Sequence, residues 1–280
     1  MERPANFFAK RSNQASTFSH SFSAPFQPIK ENLVENKKAS RKRQMNSIRK
    51  LRWNVENNEI DDARYKLKLM PKDDIDFDVI KLAVLRTQLK GKPFLKNILK
   101  IFRVEEISEG LKLSHHKNRL LFHGTSVKNI CEILKVGFRI YNSHGSREHG
   151  ARFGRGFYLS PCSTVAMHYS ASSTRKNQSS NDGVEYLMIS EVRQFKNRCV
   201  TNPKNHRNSV NLYQAVHGVQ FKYDGKDSKG RVICQGPLKK RRRNFENVTG
   251  WNVDEYVVRS PELLQPAYII KVETTEYINR

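Results

Sequence analysis

Residues Arg119–Ser126 read "RLLFHGTS". The apolar run Leu120–Phe122 has strand character and stops at His123-Gly124. An imidazole can donate or accept a hydrogen bond near neutral pH, and a glycine allows close approach to the backbone. Taken alone, the pair is also what a strand meeting a loop would show. The next stretch narrows the reading. Val127, Ile130, Cys131 and Leu134 fall on one helical face, Thr125 or Ser126 can cap the start, and Gly137 suits the left-handed stop. A strand, a His-Gly step and a capped helix follow one another directly.

Working outward, "GARFGRGFYLSP" (Gly150–Pro161) is a glycine-rich, aromatic and basic loop. Such loops can cradle phosphates, but this one has neither P-loop spacing nor the strand-first context of a Rossmann turn. A helix is expected from "SPCSTVAMHYS", with Ser160 as cap and Pro161 as its first residue. Tyr158 and Tyr169 could flank a flat ring or simply pack in a core. "VEYLMISEV" (184–192), "DEYVVRS" (254–260) and "AYIIKVE" (267–273) read as strands. Glu255 is an acid inside one of them, and could be solvated, accept from a sugar hydroxyl or steady an oxocarbenium-like centre. Towards the N-terminus, "FLKNILKIFRVEE" is β-rich. In residues 71–93 a helix is expected with Ile75, Val79, Leu82 and Leu89 on one face, Asp73 or Asp74 as cap, and Gly91 and Pro93 as the stop. Many short strands, few helices and no βαβ alternation give an α+β class.

Composition bounds the rest. The 280 residues carry 51 Lys and Arg against 27 Asp and Glu, a formal charge of +24, which points to a polyanionic partner, nucleic acid first. Cys131, Cys162, Cys199 and Cys234 lack zinc-finger spacing and read as reduced structural thiols. No apolar run reaches the roughly 20 residues of a membrane span, and the N-terminus has no apolar signal-peptide core. Residues 1–44 read as a disordered, basic, Ser-rich tail, 45–93 as a short helical segment and 94–280 as the main domain. Two basic clusters, 37–52 and 237–243, suit nuclear import or contact with DNA or RNA; the first holds eight basic residues and no acid.

The order of these features resembles the catalytic domain of the poly(ADP-ribose) polymerase family, the diphtheria-toxin-like ADP-ribosyltransferases. "NRLLFHGTS" is similar to its histidine strand, "GRGFYLS" to its Gly-x-Gly-aromatic-Tyr element, and "DEYVVRSPELLQPAYII" to its glutamate strand and final strand pair. The resemblance implies two small antiparallel sheets with short flanking helices around an NAD cleft. It implies the triad His123, Tyr158 and Glu255, with Gly124 clamping the nicotinamide amide and Tyr169 stacking on the ring. Thr125, Asn129 and Arg139 match positions near the adenosine half. NAD would be the substrate, proteins the acceptors, and no metal would be needed.

Two positions depart from the pattern. Ala166 stands where many members carry a serine bonding the nicotinamide amide, a loss of roughly 0.5–1.5 kcal/mol net. Val165 stands where chain-extending members often carry a lysine. The resemblance thus implies a pentosyltransferase that breaks the nicotinamide glycosidic bond and passes ADP-ribose to protein, with chain extension allowed by Glu255. The competing reading is a non-catalytic nucleic-acid or ADP-ribose-binding module that kept the fold.

Overall fold

The computed structural model describes residues 29–89, 95–107, 118–140, 155–175, 183–193, 199–200, 212–215, 219–220, 223–236, 239–240 and 253–274. The chain divides into a unit of residues 1–40 and a second, larger unit of residues 41–280. Helix α1 (Ile29–Asn57) is followed by strand β1 (Tyr65–Leu69), α2 (Ile75–Arg86) and β2 (Leu95–Glu106). Next come β3 (Arg119–His123), α3 (Val127–Val136), β4 (Phe157–Leu159), α4 (Ser163–Arg175) and β5 (Val184–Val192). Short strands β6 (Cys199–Val200), β7 (Leu212–Ala215), β8 (Val219–Gln220), β9 (Gly225–Lys226), β10 (Val232–Ile233) and β11 (Lys239–Lys240) lead to β12 (Glu255–Val258) and β13 (Leu264–Thr274).

The larger sheet has seven strands in the order β1-β2-β13-β5-β3-β10-β9, and the smaller has four, β4-β12-β7-β6. The α+β class holds, but the expectation of two small antiparallel sheets needs correction. One sheet is large, each contains a parallel pair (β3 with β10, β6 with β7), and β8 with β11 forms a separate ribbon.

Both faces of the large sheet are covered. Leu121, Tyr186, Met188 and Ile269 join Ile130, Ile133 and Leu134 of α3 and Val55 of α1 in one core. Leu120, Phe122, Leu187, Ile189 and Ile270 join Ile80, Ala83 and Val84 of α2 and Met167 of α4 in another. Successive strand residues point to opposite faces, so a strand buried on both reads as an unbroken apolar run. "YLMI" and "YII" are such runs.

Several local expectations shift. Residues 29–44, expected as irregular tail, belong to α1. Between Ile29 and Asn57 there is no Gly or Pro, and Lys, Arg, Glu, Gln and Leu are good helix formers. The sheet begins at Tyr65 and not at the expected boundary near Phe94, because β1 pairs with β2 throughout its length. In α2, Asp74 caps as expected, accepting from Asp76 N at 2.9 Å. Its inward face, however, is Asp76, Ile80, Ala83 and Val84, while Ile75 is 76% exposed.

Asp76 is inward because it meets a buried ionic network. Arg231 donates to Glu191 at 2.7 Å and to Asp227 at 2.7 Å. The Tyr268 hydroxyl lies 3.0 Å from Asp227 and 3.1 Å from Asp76 and shares its one proton between them, and Arg103 donates to Asp76 at 2.8 Å. Burial pushes the Asp76 carboxyl up, but hydrogen bonds from Ser228, Arg103 and Tyr268 together hold it below its ordinary value. The network ties α2, β2, β5, β13 and the β9–β10 hairpin into one piece. Arg231→Leu would remove the buried guanidinium that balances Glu191 and Asp227, with an expected loss of about 3–5 kcal/mol in urea unfolding.

Candidate active site

The site is built where the two sheets touch. Phe122 N donates to Ser160 O at 2.8 Å and Ser160 N to Phe122 O at 2.9 Å. This single bridge joins β3 to the chain just after β4. One residue further along β3, His123 Nδ1 lies 2.9 Å from the Tyr158 carbonyl oxygen. A carbonyl only accepts, so Nδ1 carries the proton. In the neutral ring Nε2 is then an acceptor. Burial lowers the His123 pKa below its ordinary 6.5, and the bond to the Tyr158 carbonyl raises it only in part. The neutral tautomer is thus the resting form.

Phe138 and Phe157 meet the imidazole edge-on, at 5.9 and 6.2 Å between ring centres, and each other at 4.9 Å. Neither was foreseen as part of the site. The available signal was the repeated Gly-Phe step, Gly137-Phe138 and Gly156-Phe157.

Tyr158 pairs with Val257 on β12. Glu255 is two residues from Val257, so Tyr158 and Glu255 lie on the same face of the small sheet. Glu255 is 5% exposed at the start of β12, flanked by Ala215 of β7. Gly156 is required here by close approach: a Cβ would sit 2.7 Å from Val257 Cγ1.

Gly124 has a structural reason of its own. A Cβ there would lie 1.8 Å from the Ala166 carbonyl oxygen. The missing side chain lets the backbone of α4 approach the end of β3. The helix itself starts at Ser163, later than the expected Ser160 cap. Ser160 is committed to the bridge with Phe122, and its hydroxyl accepts from Cys162 N at 3.1 Å. Tyr169, three residues beyond Ala166, is half-buried against Cys162, Val165, Cys234 and Val253. The departing positions Val165 and Ala166 are both buried.

At the start of α3, Ser126 provides the cap, accepting from Asn129 N at 3.2 Å. Asn129 Nδ2 donates to Thr125 Oγ1 at 2.9 Å, so these two predicted residues are brought together. Arg139, beyond the Gly137 stop, is exposed and lines a cleft of about 450 Å³ with Arg64, Arg193 and Glu262. Cys131, Cys162 and Cys234 are buried and unbridged; burial pushes the Cys131 and Cys162 thiols up to about 11. The Cys199 side chain and residues 141–154 and 241–252 lie outside what the structure describes. No helix among the described residues is long and apolar enough to cross a membrane.

Residues 75–274 match the family described as the poly(ADP-ribose) polymerase catalytic domain. A tankyrase-type poly(ADP-ribose) polymerase of Caenorhabditis elegans is 29% identical over 163 residues, 54% of this chain and 7% of the relative. Human poly(ADP-ribose) polymerase 2 is 26% identical over 193 residues, 64% of this chain and 31% of the relative. The mouse protein mono-ADP-ribosyltransferase PARP8 is 36% identical over 61 residues, 22% of this chain and 7% of the relative. The chain therefore spans less than a third of the length of each of these curated relatives.

The depressed His123 pKa has a testable sign. The unfolded chain takes up the proton at the ordinary value of 6.5, before the folded protein does. The histidine's contribution to stability is intact above that pH and is lost as pH falls through it towards the lower folded value. Thermal stability of the wild type should fall more steeply between about pH 7 and about pH 5 than that of His123→Asn.

Proposed function

This chain belongs to the poly(ADP-ribose) polymerase catalytic-domain family, and from that premise we propose that it is an NAD-dependent ADP-ribosyltransferase acting on protein acceptors. His123 Nε2 accepts from a hydroxyl of the adenosine-side ribose while Nδ1 is held by the Tyr158 carbonyl. The Gly124 amide and carbonyl clamp the nicotinamide carboxamide, and Tyr158 and Tyr169 flank its ring. Thr125, Asn129 and Arg139 serve the adenosine half. Glu255 accepts from the ribose 2′-hydroxyl, steadies the positive charge that develops as nicotinamide leaves, and polarises the incoming nucleophile. A buried carboxylate aimed at developing charge acts more strongly than one in water. Glu255 permits extension of the first unit into a chain, whereas the buried apolar Val165 favours single transfer. The two basic clusters support a nuclear setting and association with DNA or RNA.

The observation that carries this reading is the His123–Tyr158 bond together with the shared face of Tyr158 and Glu255, inside the span that matches the family. Labelled NAD incubated with wild-type protein should release nicotinamide and label protein. Glu255→Gln should lower turnover by about 10²–10³-fold, with binding of NAD retained. Product size on a denaturing gel separates single transfer from chains. No turnover by the wild type would leave the non-catalytic binding module as the surviving account.

A further inference from the structure

The reaction above makes no use of the outward face of α1. From Lys42 to Trp53 this helix holds Lys42, Arg43, Arg49, Lys50 and Arg52 and no acid. Lys42, Arg43, Asn46, Arg49, Lys50 and Trp53 are exposed, and their spacing puts them along one side of the helix. The opposite side is fixed to the domain. Val55 is fully buried, with Ile48 and Leu51 packed against the same core. Arg52 donates to the Val184 carbonyl, and Glu56 binds Lys100 at 2.9 Å and Lys271 at 2.7 Å. Burial would push the Glu56 carboxyl up, but bonds from Lys271, Tyr186 and Lys100 bring it down to about 2. The cations are therefore displayed on a docked, rigid helix over about 16 Å.

At the end of this row stands Trp53, 53% exposed. Beside it lies a cleft of about 300 Å³ lined by Arg49, Arg52, Trp53, Glu56 and Lys271 among others. An indole held in water at the end of a basic row is what a nucleobase can stack on while its phosphates meet the cations. Duplex DNA or RNA, whose bases are already stacked, would use the charges and not the ring. A membrane surface is a poorer fit, because interfacial helices insert an apolar face and that of α1 is already buried in the core.

We propose that the outward face of α1, with the cleft at Trp53, is a binding surface for single-stranded nucleic acid. Trp53 stacks on a base, and Lys42, Arg43, Arg49 and Lys50 contact the phosphates. The proposal rests on the nucleic-acid association put forward above and names its site and polymer.

The test uses the full chain and a fluorescent oligo(dT) of about 15 nucleotides, followed by anisotropy over a salt series. Wild type should bind the single strand more tightly than the matching duplex. Trp53→Ala should weaken binding between about 5-fold and about 150-fold. Arg49→Glu/Lys50→Glu should weaken it and flatten the salt dependence by about two contacts' worth of slope. Lys239→Glu/Lys240→Glu tests the other basic cluster and should have the smaller effect. All substituted side chains in α1 are exposed, so thermal melts should match wild type. The proposal is overturned if wild type binds but the α1 variants bind equally well, if the loss is confined to Lys239→Glu/Lys240→Glu, or if duplex binds as tightly with Trp53 irrelevant. Preference for poly-glutamate or anionic vesicles over oligonucleotide also overturns it. Failure of the wild type to bind any oligonucleotide removes nucleic-acid association itself. NAD turnover, measured separately, stands or falls independently of both.

Discussion

Two backbone hydrogen bonds between Phe122 and Ser160 hold the two sheets together at the point where the candidate site forms. They align the end of β3 with β4, and the register of β4 on β12 then carries Glu255 to the same region. The His123–Tyr158 bond is a consequence of that alignment. It selects a tautomer as well as an orientation, since a carbonyl partner leaves the proton on Nδ1. The same junction explains two glycines. Gly124 admits the backbone of α4, and Gly156 admits β12; a methyl group at either place would push apart the elements that carry the site.

Around this junction the large sheet is a rigid frame. Its central strands are buried on both faces, so α1 and α3 on one side and α2 and α4 on the other are held by apolar packing. At the β9–β10 end, that packing is supplemented by buried charges, with Arg231 balancing Glu191 and Asp227. Such groups tolerate little movement, because each carboxylate depends on several donors at once. The outer side of α1, with Lys42, Arg43, Arg49 and Lys50, is exposed and takes no part in that packing.

How much of this was legible beforehand depended on how local the cause was. The strand "RLLFH", the Ser126 cap, the Gly137 stop and the Asp74 cap follow from neighbouring residues, and all appear in the structure. The start of α4 did not follow. Ser160-Pro161 is a good local helix signal, but Ser160 is taken by a strand partner far away in sequence, and the helix waits until Ser163. Likewise Asp76 turned inward against its polarity because Ser228, Tyr268 and Arg103 meet it there. Only the first half of α1, residues 29–44, was hidden by its polar and basic composition, whereas Ile48, Leu51 and Val55 lie in the stretch 45–93 expected to be helical.

The sequence by itself determined the chemistry available: one histidine at a strand end, tyrosines near a glycine-rich loop, a carboxylate in an apolar strand and a large positive charge. Residue type and spacing suffice for that, since capping, turn formation and strand alternation act within a few residues. Only the tertiary structure decided which groups meet, which nitrogen of His123 bears the proton, why Gly124 must lack a side chain and which side of α1 faces outward. Each of these depends on contacts between segments tens of residues apart, where the burial of a shared core, and no local preference, selects the arrangement.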